Sequence, residues 1–506
     1  MRAFRRFAPL LTGWLLASVA FVPVVSGQAD PDPEPEPPRE LPPVPPPEEV
    51  PGAEDPDLSA AGVQLDELRT PGGLTAEEAA RRAVATAPSI EQARAAVVAA
   101  EAGAGRAWLG VLPRAELLAS YNRLSPIDQP TLGQGDVDLS GVDDPEVRQI
   151  LAGLTQFEFP VVLNQYLFRA SVSYPVTDLF LTVLPRYRAA RTAQQAQEAS
   201  VRAREAAVAL DAREAFYAYA RARGALEVAR ASLEQAEAQA EQVGNLVDAG
   251  AAARVEGLRA RARVASARVA LARARGGVAV AERSLRTLLH LPADASIAIG
   301  EDLSTLPAPV EGDVEALVTR AKDARPEVES LELLVRARER EARAEAGRQW
   351  PQLSLQGQVD YANPNQRIIP LVEEFRTTWQ VGAALTWSPN AMLDARAGAA
   401  ETRAEAMRAE ADLRALEDSI EVEVVRSHDQ LETAREALEA AQLGIEAAEE
   451  SYRVRFRQLE AGAAVTTDLV DADAELTRAR LELLDAAIDV HLAHARLRRA
   501  VTGEAL

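Results

Sequence analysis

Residues 351–387 read PQLSLQGQVDYANPNQRIIPLVEEFRTTWQVGAALTW, and two runs within this stretch alternate between apolar and polar residues. The apolar positions of the first run are Leu353, Leu355, Val359 and Tyr361. Those of the second run are Phe375, Trp379, Val381, Ala383, Leu385 and Trp387. Because successive side chains of a strand point to opposite faces, each run predicts a β-strand with one apolar face.

The length of both runs suits a membrane. Each run reaches the about 9–11 residues that a tilted strand needs to cross a bilayer. Aromatic residues stand at both ends of the second apolar face, where membrane interfaces favour them. Residues 351–388 are therefore interpreted as a membrane β-hairpin, although a hairpin on a soluble core remains an alternative on these residues alone.

A second pair of alternating runs lies in residues 113–176. Its apolar positions are Ala115, Leu117, Ala119 and Tyr121, followed by Tyr166, Phe168, Ala170, Val172 and Tyr174. The two runs are joined by a long polar connection, residues 124–164, as the outward-facing loops of a membrane barrel often are. The chain is thus predicted to contain two hairpins and four strands.

The N-terminal residues predict export. Residues 1–29 carry three arginines, an apolar run and small residues, which is typical of a secretory signal peptide and favours it over a retained anchor helix. Residues 30–73 are interpreted as an acidic, proline-rich tether, because residues 30–57 hold ten Asp or Glu against one Arg. The chain has no cysteine, which excludes disulfides, thiolate metal sites and a lipid-modified cysteine.

Charge and motifs exclude other functions. The net charge of -22 argues against nucleic-acid binding. The sequence has no phosphate-binding glycine loop and no nucleophile elbow, so we expect no enzyme and no cofactor. Alanine, arginine and glutamate dominate the helical stretches, as in long helices packed through small side chains.

The helical parts repeat one pattern. Leu226, Ala229, Leu233, Ala236 and Ala240 recur 212 residues later as Leu438, Ala441, Ile445, Ala448 and Tyr452. Both copies then turn at Ala249-Gly250 and Ala461-Gly462, and both return helices keep the same apolar spacing. Shared register over two long hairpins indicates a tandem duplication, with repeats at residues 74–305 and 306–506.

The outgoing helix of the first repeat, residues 186–247, would be about 90 Å long. Four strands cannot enclose a pore, because even eight strands leave an interior that side chains fill. Several chains must therefore contribute to one barrel. The predicted fold is mainly α, with long antiparallel helical hairpins and four strands per chain that contribute to a membrane β-barrel.

Over residues 74–502 the sequence resembles the TolC-like outer membrane efflux proteins. The resemblance is carried by the paired repeat, the hairpins that open at Leu112-Pro113 and Trp350-Pro351, the helix starts at Ala87-Pro88 and Arg325-Pro326, and the stretch LEAGAAVTTDLVDA at 459–472. It implies a homotrimer with a twelve-strand barrel in the outer membrane and a helical α-barrel tunnel in the periplasm. It also implies partnership with a periplasmic adaptor and an inner-membrane pump.

The resemblance further implies a gate at the far turns, with Asp468 and Asp471 ringing the narrowest point. The tip turns, at Ala249, Gly250, Ala461 and Gly462, are the expected adaptor contact. The first repeat departs from the family pattern, since Gly257 stands where an aliphatic residue is usual, and this leaves open what holds the closed state.

Asp468 and Asp471 also have a purely structural interpretation. They share a helix face, so three copies would bring six carboxylates around one axis, and such a ring attracts cations. Alternatively they begin a stripe of salt bridges with neighbouring helices. The stripe continues through Glu475, Glu482, Asp485 and Asp489, and Arg259, Arg263 and Arg273 stand at equivalent offsets of the first repeat.

His491 and His494 are one helical turn apart, but no third ligand is fixed by spacing, so we interpret them as part of a solvated helix face and predict no metal site. His290 and His428 are isolated. The leading functional hypothesis is an outer membrane export duct, either in tripartite efflux or in type I secretion, whose exported substrate the sequence does not identify. The alternative is a periplasmic coiled-coil scaffold without a pore.

Overall fold

The computed structural model describes residues 68–126, 141, 143–155, 162–250, 252–369, 371–461 and 463–504. The predicted signal peptide, the tether up to residue 67 and Gly462 lie outside these residues. Within them, no helix is both long enough and apolar enough to cross a membrane.

The order of two helices, two strands, a very long helix and a return helix occurs twice. The first copy comprises α1 (Ala76–Thr86), α2 (Pro88–Leu109), β2 (Arg114–Arg123), β3 (Asn164–Pro175), α5 (Leu184–Asp248) and α6 (Arg254–Leu288). The second comprises α7 (Val314–Ala324), α8 (Pro326–Gly347), β4 (Gln352–Asn363), β5 (Arg376–Thr386), α9 (Pro389–Glu460) and α10 (Thr466–Thr502). The remaining elements are β1 (Arg69–Leu74), α3 (Pro145–Thr155), the helical turn α4 (Val176–Asp178) and a π-helical turn at Leu179–Val183.

The four predicted strands form one antiparallel sheet in the order β2-β3-β4-β5. Its register places apolar residues opposite apolar residues, as in Phe168↔Tyr361 and Val359↔Trp379. Since side chains alternate along a strand, this register collects every predicted apolar position on one face. That face is exposed: Leu117 is 86% and Val381 77% accessible.

Aromatic rings cluster on the apolar face at the end of the sheet farthest from the helices. The ring centroids of Tyr121 and Tyr166 are 4.9 Å apart, as are those of Tyr361 and Phe375. Trp350 and Trp387 are exposed next to the other end, where the strands meet the helices. The sheet therefore carries aromatic residues at both ends of an apolar band, as a membrane-spanning sheet requires.

Two features differ from the sequence-based expectation. The tether was predicted to extend to residue 73, whereas Arg69–Leu74 forms β1, which runs parallel to the segment around Ile299. Gly73 and Gly300 permit this close approach, because a Cβ on Gly300 would lie 2.1 Å from the Gly73 carbonyl oxygen. The loop between β2 and β3 also contains α3, whose Val147 and Ile150 are exposed.

The apolar positions that repeat along the long helices are mostly buried. The buried positions are Leu226, Ala236 and Val243 of α5, Leu271 and Val278 of α6, Leu438 and Tyr452 of α9, and Leu476 and Leu497 of α10. The first helix begins as expected, since the Thr75 hydroxyl accepts a hydrogen bond from the Glu78 N–H at 3.2 Å. Helix α5 packs on α6 and α10, and α10 packs on α9.

Two apolar cores lie midway along the long helices, and the first of them joins the two helical hairpins. We call them the waist cores. In the first, Phe216 of α5 shares a cluster with Leu484 and Ile488 of α10. In the second, Leu317 of α7 packs with Ile420 of α9 and Leu497 of α10. Nearer the far turns, the cluster around Tyr452 and Leu469 involves α9 and α10 alone.

Candidate functional site

The first far turn follows the end of α5. The Ala249 N–H donates to the Asn245 carbonyl, and the Gly250 N–H donates to the Val247 carbonyl, each at 3.0 Å. Gly250 has a φ of 74°, in the left-handed region that glycine adopts without steric cost. The helix therefore stops where the Ala-Gly pair predicted.

The second far turn follows α9. The Ala461 N–H donates to the Arg457 carbonyl at 3.0 Å, and the Ala463 N–H donates to the Gln458 carbonyl at 2.8 Å. Helix α10 starts at Thr466, four residues beyond Gly462. Of the four predicted tip residues, Ala249, Gly250 and Ala461 thus lie at helix ends, and Gly462 is outside the described residues.

Asp468 and Asp471 lie in the first two turns of α10. Asp468 is half-buried and Asp471 is exposed. Within the described part of the chain, neither carboxylate makes an ion pair. Carboxylates near a helix N-terminus are favoured by the helix dipole, so both charges are compatible with this position. Their role in a ring of three copies remains a prediction.

The two far turns are held side by side by polar contacts that start from α6. The Arg259 Nη1 donates to the Thr467 Oγ1 at 2.9 Å. Four residues along α6, the Arg263 Nη2 is 2.6 Å from the Asp473 Oδ2. Asp473 is 1% exposed, so this ion pair is buried between the first and second helical hairpins. These contacts bring both turns to one end of the long helices.

This pair lies within a cluster of incompletely bonded polar atoms, which we call the polar junction. Among the described residues, Asp473 Oδ1, Arg480 Nε and Nη2, and Gln239 Nε2 are buried without a hydrogen-bond partner. Burial raises the pKa of the Asp473 carboxyl, against the opposing effect of Arg263. Burial also lowers the pKa of the Arg480 guanidinium. Both shifts arise because a low-dielectric site disfavours the charged form.

Part of the predicted acidic stripe is a set of salt bridges. Arg221 of α5 binds Asp485, with 3.3 Å between Nε and Oδ1, and also binds Asp489 through its Nη2. Among the described residues, Asp471, Glu475 and Glu482 make no such contact. The salt-bridge interpretation therefore applies to the part of the stripe near the waist cores. Asp473 could not be predicted from the sequence, because only its buried position distinguishes it from its neighbours.

The interpretation of His491 and His494 as a solvated face is wrong. His491 is buried against the loop after Ile299, where its Nε2 is 3.2 Å from the Leu303 carbonyl oxygen and its Nδ1 is 3.7 Å from Glu301 Oε1. Burial lowers the pKa of the His494 imidazole. In the described ranges, no group of three or more His, Asp or Glu residues is arranged to hold a metal ion.

The polar face of the sheet carries its own network. The Arg169 Nε donates to the Asp360 Oδ1 at 2.8 Å, between β3 and β4. Gln358 Nε2 donates to the same carboxylate at 2.7 Å, and Gln380 Nε2 of β5 donates to the Gln358 Oε1 at 3.1 Å. Charged and amide side chains on this face, opposite an apolar face, fit a sheet with lipid on one side and water on the other.

Comparisons with known proteins agree with this arrangement. The chain has the fold of the Neisseria gonorrhoeae MtrE outer membrane channel in its open state, with a TM-score of 0.68, 17% identity and coverage of 90% of this chain and 98% of that one. The Campylobacter jejuni CmeC outer membrane channel gives a TM-score of 0.66 at 15% identity, with coverage of 88% of this chain and 87% of that one. The outer membrane protein VceC of Vibrio cholerae gives a TM-score of 0.65 at 14% identity, with coverage of 89% of this chain and 98% of that one.

No curated protein matches the chain significantly in sequence. A family model does match: residues 79–290 and 317–503 fit the outer membrane efflux protein family. These two segments span α1 to α6 and α7 to α10, and so include both hairpins, all four sheet strands and both far turns. The chain therefore belongs to the outer membrane efflux protein family.

Proposed function

We propose that three copies of the chain form an outer membrane channel that serves as the exit duct of a tripartite efflux system or a type I secretion system. The barrel lies in the outer membrane, and the long helices form a tunnel in the periplasm. Substrates are driven through it by an inner-membrane pump, and a periplasmic adaptor joins the pump to the far turns. The duct itself has no catalytic part.

The sheet carries this proposal. Strands β2 and β5 are its two edges, so each presents backbone groups that pair with no strand of the described chain. Lipid cannot satisfy such groups, and a membrane sheet must therefore close on itself. With four strands in antiparallel order, β5 of one copy can pair antiparallel with β2 of the next. Two copies give an interior that side chains fill, whereas three give twelve strands and an open lumen.

The long helices support a tunnel that leaves the membrane. Helix α5 has 65 residues and α9 has 72, which corresponds to about 100 Å each. This is several times the thickness of a bilayer's apolar core, and neither helix is apolar enough to lie in one. Both helices follow the strands directly, so they extend the wall of the barrel into the aqueous compartment.

The far turns are the proposed gate. Asp468 and Asp471 lie within ten residues of the second turn, and three copies would bring six carboxylates together at the mouth. Between the hairpins, this end is held by polar contacts such as Arg263 with Asp473, rather than by an apolar core. Polar groups that water can satisfy are less costly to separate than apolar surfaces, so the tips can part while the waist cores stay packed.

A matched pair of variants tests the proposed orientation of the sheet. Val381 is on the apolar face and Gln380 is on the polar face of the same strand. An arginine facing lipid near mid-bilayer costs roughly 2–4 kcal/mol. We expect Val381→Arg to reduce the Sarkosyl-resistant outer membrane fraction and Gln380→Arg to leave it unchanged. Equal yields would show that the two faces are assigned wrongly.

The same fractionation separates the proposed function from the scaffold alternative. We expect the unaltered protein in the outer membrane and, after detergent extraction, as a three-chain species by native mass spectrometry. Recovery as a soluble periplasmic protein would contradict the channel and favour a coiled-coil scaffold. A membrane-inserted monomer would contradict the trimer and the argument that the open strand edges must pair between copies.

A further inference from the structure

A cavity of about 490 Å³ lies where the sheet meets the helices, away from the far turns and the polar junction. From the strands it is lined by Arg114, Gln352 and Thr386. Each is a direct neighbour of an apolar-face residue in its strand, so its side chain points to the polar face. In the proposed barrel that face borders the water-filled lumen, and we therefore place the cavity on the side of the lumen rather than of lipid.

The wall of the cavity is basic, although the whole chain has a net charge of -22. The ionisable residues on it are Arg114, Arg186, Arg348 and Asp178. Three positive charges and one negative charge give this wall a net charge of +2. Burial raises the pKa of the Asp178 carboxyl, and the charges of Arg114 and Arg348 act against that rise, as they do when guanidinium groups lie close to a carboxylate. The wall therefore favours an anion over a cation.

The three arginines have more N–H groups than the nearby carboxylates occupy. Arg186 and Arg348 share Glu345, with 2.5 Å between Arg186 Nη2 and Oε1 and 3.0 Å between Arg348 Nη1 and Oε2. Arg348 Nη2 is also 3.9 Å from the Oδ2 of Asp394, which is mostly exposed. Within the described residues, Arg114 makes no ion pair. Because each guanidinium carries five N–H donors, several remain for a ligand in the cavity.

A buried hydroxyl on the same wall also lacks a partner. Thr182 belongs to the π-helical turn, and in the described part of the chain its Oγ1 is buried without a hydrogen bond. The turn packs against the end of α8, where a Cβ on Gly347 would lie 2.1 Å from the Leu181 carbonyl oxygen. Gly347 thus permits the contact that brings Thr182 and Arg348 to one cavity. π-Helical turns often occur at functional sites, and a buried hydroxyl without a hydrogen bond costs free energy that a bound ligand would recover.

We propose that this cavity binds an oxyanion, namely the carboxylate or phosphate group of a solute in the lumen, through Arg114, Arg186 and Arg348. Paired N–H donors of arginine match the oxygen atoms of both groups, and the Thr182 hydroxyl donates to the same oxyanion. Three copies place three such cavities at one level of the duct. The inference rests on the proposed channel, because it takes the polar face as the lumen side, and it adds an anionic class of solute.

Tryptophan fluorescence provides a binding test, since Trp350 and Trp387 also line the cavity. The detergent-extracted protein is titrated with inorganic phosphate and, in parallel, with sodium chloride at the same ionic strength. We expect a saturable change with phosphate alone. In Arg114→Gln the half-saturating concentration should rise about tenfold, because a hydrogen bond to a charged ligand is lost.

The matched control is Arg376→Gln, which lies at the other end of the polar face and should bind phosphate as the unaltered protein does. No saturable response to phosphate, or the same affinity in Arg114→Gln as in this control, would overturn the proposed site.

Thr182→Val gives a test with opposite signs for the two states. Without phosphate, the valine removes a buried hydroxyl that has no partner among the described residues, so the thermal unfolding midpoint should stay the same or rise. With phosphate, the unaltered protein should gain stability from ligand binding, and the variant should gain less. An equal gain in both proteins would overturn the contact between this hydroxyl and the anion.

A lipid headgroup carries the same phosphate chemistry, so the titration is repeated with phosphatidylglycerol in mixed micelles. We expect the response to inorganic phosphate to persist and the lipid to give none. A saturable response to this lipid without one to inorganic phosphate would overturn the solute in the lumen and assign the cavity to a lipid.

The outcomes also separate this inference from the function on which it rests. The oligomeric state and the single-channel conductance of the same preparation are measured. A conducting trimer without a phosphate response would overturn this inference and leave the channel proposal standing. A phosphate response in a protein that forms no conducting trimer would contradict the channel, and with it the assignment of the cavity to a lumen.

Discussion

The first waist core and the polar junction join the same two helical hairpins by different means. At the waist, Phe216 of α5 packs on Leu484 and Ile488 of α10, so separation would expose apolar surface. At the polar junction, Arg263 and Asp473 form the contact, and several neighbouring polar atoms are buried without partners. Buried unpaired groups are costly, and water would satisfy them. This difference supports the proposed gate, in which the waist stays packed and the mouth opens.

The largest effect is expected at the waist. Ile488 of α10 is fully buried in the first waist core with Phe216 of α5, and removing a buried aliphatic side chain costs about 2–5 kcal/mol. We expect Ile488→Ala to lower the thermal unfolding midpoint of the detergent-extracted protein clearly. Leu246→Ala near the first far turn, where the side chain is 37% exposed, is the control and should change it little. Equal shifts would remove the distinction between waist and tip.

The buried ion pair should respond asymmetrically to loss of its partners. Arg263→Met leaves the buried Asp473 carboxylate without the guanidinium that hydrogen-bonds it, and breaking such a pair costs about 3–5 kcal/mol in comparable sites. Asp473→Asn removes a charge that burial already disfavours, so a much smaller change is expected. Hydrogen exchange of the first turns of α10 should therefore rise in Arg263→Met and stay close to the unaltered protein in Asp473→Asn. Similar exchange in both variants would contradict the burial argument.

The pH dependence follows from the direction of the Asp473 shift. Burial raises the pKa of this carboxyl in the packed state above its exposed value. The packed state therefore binds a proton more readily, and lowering the pH through the raised pKa favours packing rather than opening. Hydrogen exchange at the polar junction, corrected for its intrinsic pH dependence, should fall as the pH drops from 7 toward about 4, and this pH effect should vanish in Asp473→Asn. Increased hydrogen exchange at acidic pH would show that a group other than Asp473 controls the opening of the polar junction.

Replacing Asp468 and Asp471, the acidic residues beyond the second far turn, is expected to change stability least. The same change is expected to alter transport most clearly. Neither Asp468 nor Asp471 makes an ion pair in the described chain, so replacing both with alanine should leave the unfolding midpoint nearly unchanged. If they ring the mouth, the double variant should conduct more and be blocked less by multivalent cations from the periplasmic side. Block equal to that of the unaltered protein would place the gate elsewhere.

Local patterns were sufficient to predict the four sheet strands and the long helices. The two-residue period around Val381 predicted both the strand and its apolar face. The apolar spacing that begins at Leu226 and Leu438 predicted long helices that end at Ala249 and Ala461. Such patterns work because each reports burial within one element and its immediate partner. The predicted family is confirmed by the match over both repeats.

Contacts between distant segments could not be predicted in this way. Arg263 and Asp473 are 210 residues apart, and nothing local distinguishes this aspartate from Asp471. The burial of His491 depends on a loop nearly 200 residues earlier, and β1 pairs with the distant segment around Ile299. The alternation in residues 113–176 gave no sign of α3, whose short apolar face lies in a polar connection.

The central claim is that several copies of this chain enclose a water-filled channel, and single-channel recording of the purified protein in planar bilayers tests it most directly. We predict discrete conductance steps that increase with salt concentration and are reduced by multivalent cations added on the side of the far turns. Stable insertion of the trimer without any conductance, in both the unaltered protein and the Asp468→Ala, Asp471→Ala variant, would contradict the claim.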